Sequence, residues 1–171
     1  SLPLMGNGHG SPAVWGNRVF LNASADKGKT RTILCVDARS GEIKWTRSYD
    51  SQTHKTHRYN SFASSTPALD DKRVYSVWGH ASELKASAHD HHGILLWEKD
   101  LGGVTGGHGF GVSPIVHQDL LIVPNDQEKG GGSHYALECA TGKIRWQVPR
   151  ASKRLTYTTP GVVPSPKGGH E

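Results

Sequence analysis

The chain has 171 residues, enough for one ordinary domain with a sizeable core, and its 35% hydrophobic content with 21 glycines favours short strands and turns over long amphipathic helices. Lys and Arg number 20 against 15 Asp and Glu, a formal charge of +5; no basic run interleaved with aromatics accompanies it, which argues for a solvated surface and against nucleic acid as a partner. No apolar run approaches the ~20 residues of a membrane span, no charged-then-apolar signal segment opens the chain, and Ser1 in place of Met reads as a processed, trimmed or partial chain.

Residues 1–10, SLPLMGNGHG, lack periodicity and read as a lead-in loop. Ser11-Pro-Ala-Val14 and Arg18-Val-Phe-Leu21, separated by a turn at Gly16-Asn17, read as two strands. After a polar insert, Thr32 to Val36 is a third, Asp37 to Gly41 a turn, and Glu42 to Trp45 a fourth. The same phrase restarts at Thr66-Pro67 and runs through Arg73 to Val77, Leu84 to Ala88, a turn at His89 to Gly93, and Ile94 to Trp97. A third pass runs from Ser113-Pro114 through Leu120 to Val123, His134 to Leu137, the turn Glu138 to Gly142, and Lys143 to Trp146. A fourth begins at Thr159-Pro160.

The prolines give the period: Pro12 to Pro67 is 55 residues, Pro67 to Pro114 is 47 and Pro114 to Pro160 is 46. Val19, Val74 and Leu121 each lie seven residues after their proline, and Gly41, Gly93 and Gly142 each lie four before Trp45, Trp97 and Trp146. Fixed offsets inside units joined by variable connectors are what repeated four-stranded β units produce, and the period suits propeller blades. The expected fold is therefore all-β: a β-propeller of four-stranded antiparallel blades, here an incomplete arc. Blade one covers 11–47, blade two 66–98 and blade three 113–148, with 159–163 the first strand of a fourth. Proline lacks the N–H of an interior ladder and should sit at each first-strand start. Glycine should end each turn between the third and fourth strands, where a positive φ favours it, and the tryptophans should cover the joins between blades.

Several residues invite chemistry. Cys35 and Cys139 form no CxxC and are expected as small half-buried strand residues. His89-Asp-His-His92 suggests a metal, but its place at a hairpin tip reads as a solvated turn. Asp37, Asp70, Asp126 and Glu138 are explained by turns, so no catalytic set and no metal site is assigned. The loops entering each first strand converge on one face around the channel and supply the candidate ligand-binding residues His9, Arg58, Asn60, His108, Phe110 and Tyr157. Glycine beside histidine permits close ligand approach, although Gly-rich connectors account for the same pattern. No phosphate-binding loop and no Ser nucleophile motif occurs.

Ala136, Thr141, Gly142, Lys143 and Trp146, with Glu138 in place of Asp, and likewise Asp37, Gly41 and Trp45, resemble the tryptophan-docking repeat of pyrroloquinoline-quinone (PQQ) type propellers. Asn60 to Pro67, Arg73-Val-Tyr75 and Tyr157 to Pro160 extend the resemblance over nearly the whole chain. That family includes quinoprotein alcohol and glucose dehydrogenases and also cofactor-free propellers such as an outer-membrane assembly lipoprotein. The resemblance implies an exported protein, periplasmic or at the cell surface; an open arc leaves blade faces exposed, so the remaining blades are expected from the same protein or, as the alternative, from oligomerisation of this subunit. The dehydrogenase alternative implies PQQ with Ca²⁺, a carboxylate base and an adjacent cysteine pair, and this sequence has no Cys-Cys. The preferred expectation is a non-catalytic binding or scaffolding module that offers its loop face to a protein partner or a small ligand.

Overall fold

The computed structural model describes residues 5–165. Proline sets the start of each unit. The first strands β1 (Ala13–Trp15), β5 (Ala68–Leu69) and β9 (Ile115–His117) each begin one residue after Pro12, Pro67 and Pro114. Each then turns back into a longer second strand, β2 (Arg18–Ala25), β6 (Arg73–His80) and β10 (Leu120–Asn125). The third strands β3 (Thr30–Asp37), β7 (Glu83–Asp90) and β11 (Ser133–Glu138) and the fourth strands β4 (Ile43–Asp50), β8 (Leu95–Asp100) and β12 (Ile144–Pro149) complete three antiparallel meanders in sequential order. The first strands neighbour one another, β1 against β5 and β5 against β9, as the inner strands of successive propeller blades do.

Third and fourth strands run further than the hydrophobic pattern alone suggests. Thr30 pairs with Asp50 and Lys85 with Asp100, because a ladder extends as far as backbone partners exist even where the outer strand is polar. Residues 159–163, expected to open a fourth blade, form no strand. Two findings depart from sequence reasoning. His89 and His91, expected on a solvated turn, are 0% and 7% exposed because β7 continues to Asp90 and the first blade covers it. Cys139 lies in a turn after β11 rather than on a strand; both it and Cys35 are free and buried.

The cores lie between blades. Tyr75, Val77, Leu84 and Trp97 of the second blade pack with Leu121, Val123 and Leu137 of the third and with Val112 of the connector between them. Phe20, Cys35 and Trp45 of the first meet Leu69 and Val74 of the second. Gly93 and Gly142 have φ of +83° and +71°, and a side chain at either would meet an indole of the preceding blade, Trp45 at 2.7 Å and Trp97 at 2.6 Å. The indoles also donate, Trp45 Nε1 to the His91 carbonyl at 3.0 Å and Trp97 Nε1 to the Cys139 carbonyl at 2.9 Å. Gly41 has the same conformation with nothing within 4 Å of its missing side chain, and Trp146 is 38% exposed.

A β-bulge precedes each of these tryptophans. Trp45 pairs with Cys35 while Ile43 pairs with Val36, and the breaks before Trp97 and Trp146 match it. A second repeated device lies at the inner strands, where the residue before each proline ties to its counterpart in the next blade. Ser11 N–H donates to Thr66 Oγ1 and Thr66 N–H to Ser113 Oγ, both at 2.9 Å.

Replacing Trp97 by Ala removes a buried indole and its hydrogen bond and is expected to cost about 3–5 kcal/mol of stability, whereas Trp146→Ala should cost well under half as much. Urea unfolding of the two variants against the parent checks this order. His89 is buried without a charge partner that offsets its desolvation, and its pKa falls to about 4. In the unfolded chain the imidazole protonates near an ordinary value of about 6.5. The unfolded state then holds more protons through this interval, so stability should decline as pH falls from about 6.5 towards 4. His54 and His134, also lowered by burial, add in the same direction. Melting temperatures of the parent and His89→Gln across that range test it, the variant giving the shallower slope.

Candidate functional site

Four connectors meet at the blade ends opposite the glycine turns that join third and fourth strands. They enclose a cavity of about 390 Å³ lined by His9, His57, Tyr59, Asn60, Ser64, His108, Gly111 and Tyr157. His9 comes from the lead-in, His57 to Ser64 from the first-to-second connector, His108 and Gly111 from the second-to-third, and Tyr157 from the segment after β12.

Backbone anchors hold each piece. His9 N–H donates to the Ala63 carbonyl at 3.1 Å and to Ser61 Oγ at 3.1 Å. Asn60 is the organiser: its Nδ2 donates to the His108 carbonyl at 2.7 Å, while its Oδ1 accepts from Ser61 N–H at 2.9 Å and from Ser64 Oγ at 2.5 Å. The His57 N–H also reaches the His108 carbonyl, at 3.1 Å, so the two middle connectors are bound edge to edge. The His57 and His108 rings then meet in a T-shaped contact at 5.1 Å. Gly111 lets the Tyr157 ring approach closely: a side chain there would meet it at 3.0 Å. Burial raises the Tyr157 phenol above its ordinary pKa, with Glu128 adding to the rise, so it is a hydrogen-bond donor at neutral pH.

Of the six residues singled out in sequence, His9, Asn60, His108 and Tyr157 line this one cavity. Arg58 stands beside it with its guanidinium 4.6 Å from the centroid of Tyr59. Phe110 is turned the other way, 8% exposed in the core between blades two and three. His57, Tyr59 and Ser64 were missed. They sit in the connector that supplied Asn60, and only the fold of that loop shows which of its side chains face the cavity.

The lining contains imidazoles, phenols, an amide and a hydroxyl, and no carboxylate. Asp126, expected as a turn residue, is instead 3% exposed beneath the segment after β12, where Arg150 Nε donates to it at 2.7 Å and Thr156 Oγ1 at 2.6 Å. These donors overcome its burial and hold its carboxyl below the ordinary pKa. Asp37 and Asp70 do cap turns, accepting backbone N–H bonds from Arg39 and Ser40 and from Lys72 and Arg73 respectively. Among the described residues no three of His, Cys, Asp and Glu are grouped to hold a metal ion. Ca²⁺ takes most of its ligands from carboxylate and carbonyl oxygens, and the side chains that line this cavity supply no carboxylate.

Three four-stranded meanders with nested inner strands and an indole at each join define an arc of a β-propeller. Residues 3–160 match the model of the PQQ-like repeat family described as outer membrane protein assembly factor BamB, and the chain belongs to that family. No curated protein matches it significantly. Among solved structures it is similar to a europium-containing methanol dehydrogenase, with 18% identity and a TM-score of 0.59 over 82% of this chain and 24% of that one. The quinohemoprotein alcohol dehydrogenase of Comamonas testosteroni gives 20% identity and 0.58 over 97% and 23%. The quinohemoprotein alcohol dehydrogenase ADHIIG of Pseudomonas putida HK5 gives 18% and 0.60 over 86% and 21%. At these identities the likeness is one of fold, and the chain spans less than a quarter of each of these proteins.

The Asp126 anchor is testable. Asp126→Ala removes charge-assisted hydrogen bonds to Arg150 and Thr156 and should cost about 1–3 kcal/mol. Limited proteolysis should then cut faster within residues 150–157 than in the parent.

Proposed function

We propose that the chain is a non-catalytic binding module of an exported propeller, and that the connector cavity is its ligand-binding face. One observation carries this: four separate connectors converge on a solvent-open cavity of about 390 Å³ whose lining offers hydrogen-bond donors and aromatic faces but no carboxylate to act as a base. The imidazoles of His9, His57 and His108 and the rings of Tyr59 and Tyr157 suit a protruding peptide loop, with backbone carbonyls or carboxylates meeting the donors and a side chain resting on the aromatic surface. The description of the family as an assembly factor supports a protein partner, and an exported setting agrees with it.

Peptides selected on the folded chain from a random displayed library should lose at least tenfold in affinity for the His108→Ala/Tyr157→Ala double variant. Peptides that bind parent and variant equally would place the binding face elsewhere. Dye reduction by alcohols or sugars in the presence of PQQ and Ca²⁺ should be absent, and robust turnover would replace the binding module with a dehydrogenase segment.

A further inference from the structure

A second cavity lies between the first and second blades. It has a volume of about 10 Å³ and is lined by parts of β2, β3 and β6 and of the connector containing His54, Phe62 and Ser65. Three buried polar atoms without a hydrogen-bond partner belong to residues of its lining: Nη1 of Arg31, Oγ of Ser65 and Nε1 of Trp78. Their residues are 3%, 3% and 6% exposed. Buried N–H and O–H groups are nearly always satisfied, and three donors on residues of one lining can share a single partner.

The charge at this place is also unbalanced. Arg31 takes part in no ion pair among the described residues. Its Nε donates to the neutral Ser51 Oγ at 3.2 Å, and its guanidinium stands 5.5 Å from the Phe62 ring centroid. Burial lowers its pKa to about 10 with no neighbouring charge to offset the loss of hydration, and it therefore still carries its charge at neutral pH. The lining holds no Asp or Glu, and its one other titratable group, His54, is lowered by burial and by Arg31 and so stays neutral. A water would fill the space but leave the buried cation uncompensated.

We propose that this cavity binds one monovalent anion of about chloride size, held by Arg31 Nη1, Trp78 Nε1 and Ser65 Oγ. A space of this volume is too small for phosphate, sulfate or an organic carboxylate. The site joins a strand of the first blade to a strand of the second, and the anion acts as a clamp between them, independent of whatever occupies the connector cavity.

The test is thermal unfolding of the full chain at constant ionic strength as sodium gluconate is exchanged for sodium chloride or bromide. The midpoint should rise by about 2–4 °C in 0.2 M halide, and Arg31→Gln should abolish the dependence. Anomalous diffraction from bromide-soaked crystals of the parent, which needs no variant, should place a bromide against Arg31, Trp78 and Ser65. Midpoints that coincide in gluconate and halide, a rise that persists in Arg31→Gln, or a cavity without bromide would each overturn the proposal.

Discussion

The seating of an indole on the glycine of the next turn is the contact on which the arrangement of the blades depends. Trp45 lies on Gly93 and Trp97 on Gly142, and each indole N–H ends on a carbonyl of the turn it covers. The join needs two things from the turn, a backbone with positive φ and the absence of a side chain, and only glycine supplies both cheaply. It needs one thing from the fourth strand, a large flat side chain with a donor. Because each join uses main-chain atoms on one side, the blades can differ widely elsewhere and still meet at the same angle. The connectors add buried side chains to the joins, such as Val104 and Phe110, but the indole and glycine contact does not depend on them, and their remaining residues can line a cavity.

The repeat was legible in the sequence because its determinants are local. Proline before the first strand, an aliphatic residue seven places on, and glycine four places before tryptophan each act through backbone geometry or one neighbouring blade. The parts that could not be read depend on what comes to lie over them. His89 and His91 look like a solvated tip until Tyr49 and Phe20 of the first blade are laid against them, at 5.8 and 5.3 Å between ring centroids. Arg31 sits between two threonines at the start of β3; the connector through His54 and Phe62 buries it, and no periodicity gives the path of that loop. The connector residues were half legible for the same reason: the position of each loop follows from the repeat, but the direction of each side chain does not.

The likeness to alcohol dehydrogenases and membership of a family described by an assembly factor show how little of a propeller's chemistry resides in its blades. What the blades provide is a rigid ring of strand ends. What happens there is decided by a handful of side chains on segments with no regular structure, and here those segments bring imidazole and phenol rather than carboxylate. The two cavities are placed accordingly. The inner one lies within a join between two blades, the outer one among the connectors.

The bulge before each tryptophan carries a last consequence. Lys44, Leu96 and Arg145 are the supernumerary residues that separate the hairpin turn from the indole. Side chains along a strand alternate between faces, so one added residue reverses the parity of everything beyond it. The bulge is therefore a phase shifter: it lets the turn and the outer strand keep separate alternations while aiming the tryptophan at the neighbouring blade. Evolution can lengthen or shorten the connectors of such a protein freely, as the unequal distances between its prolines show. The interval from glycine to tryptophan is the one length it has to copy faithfully.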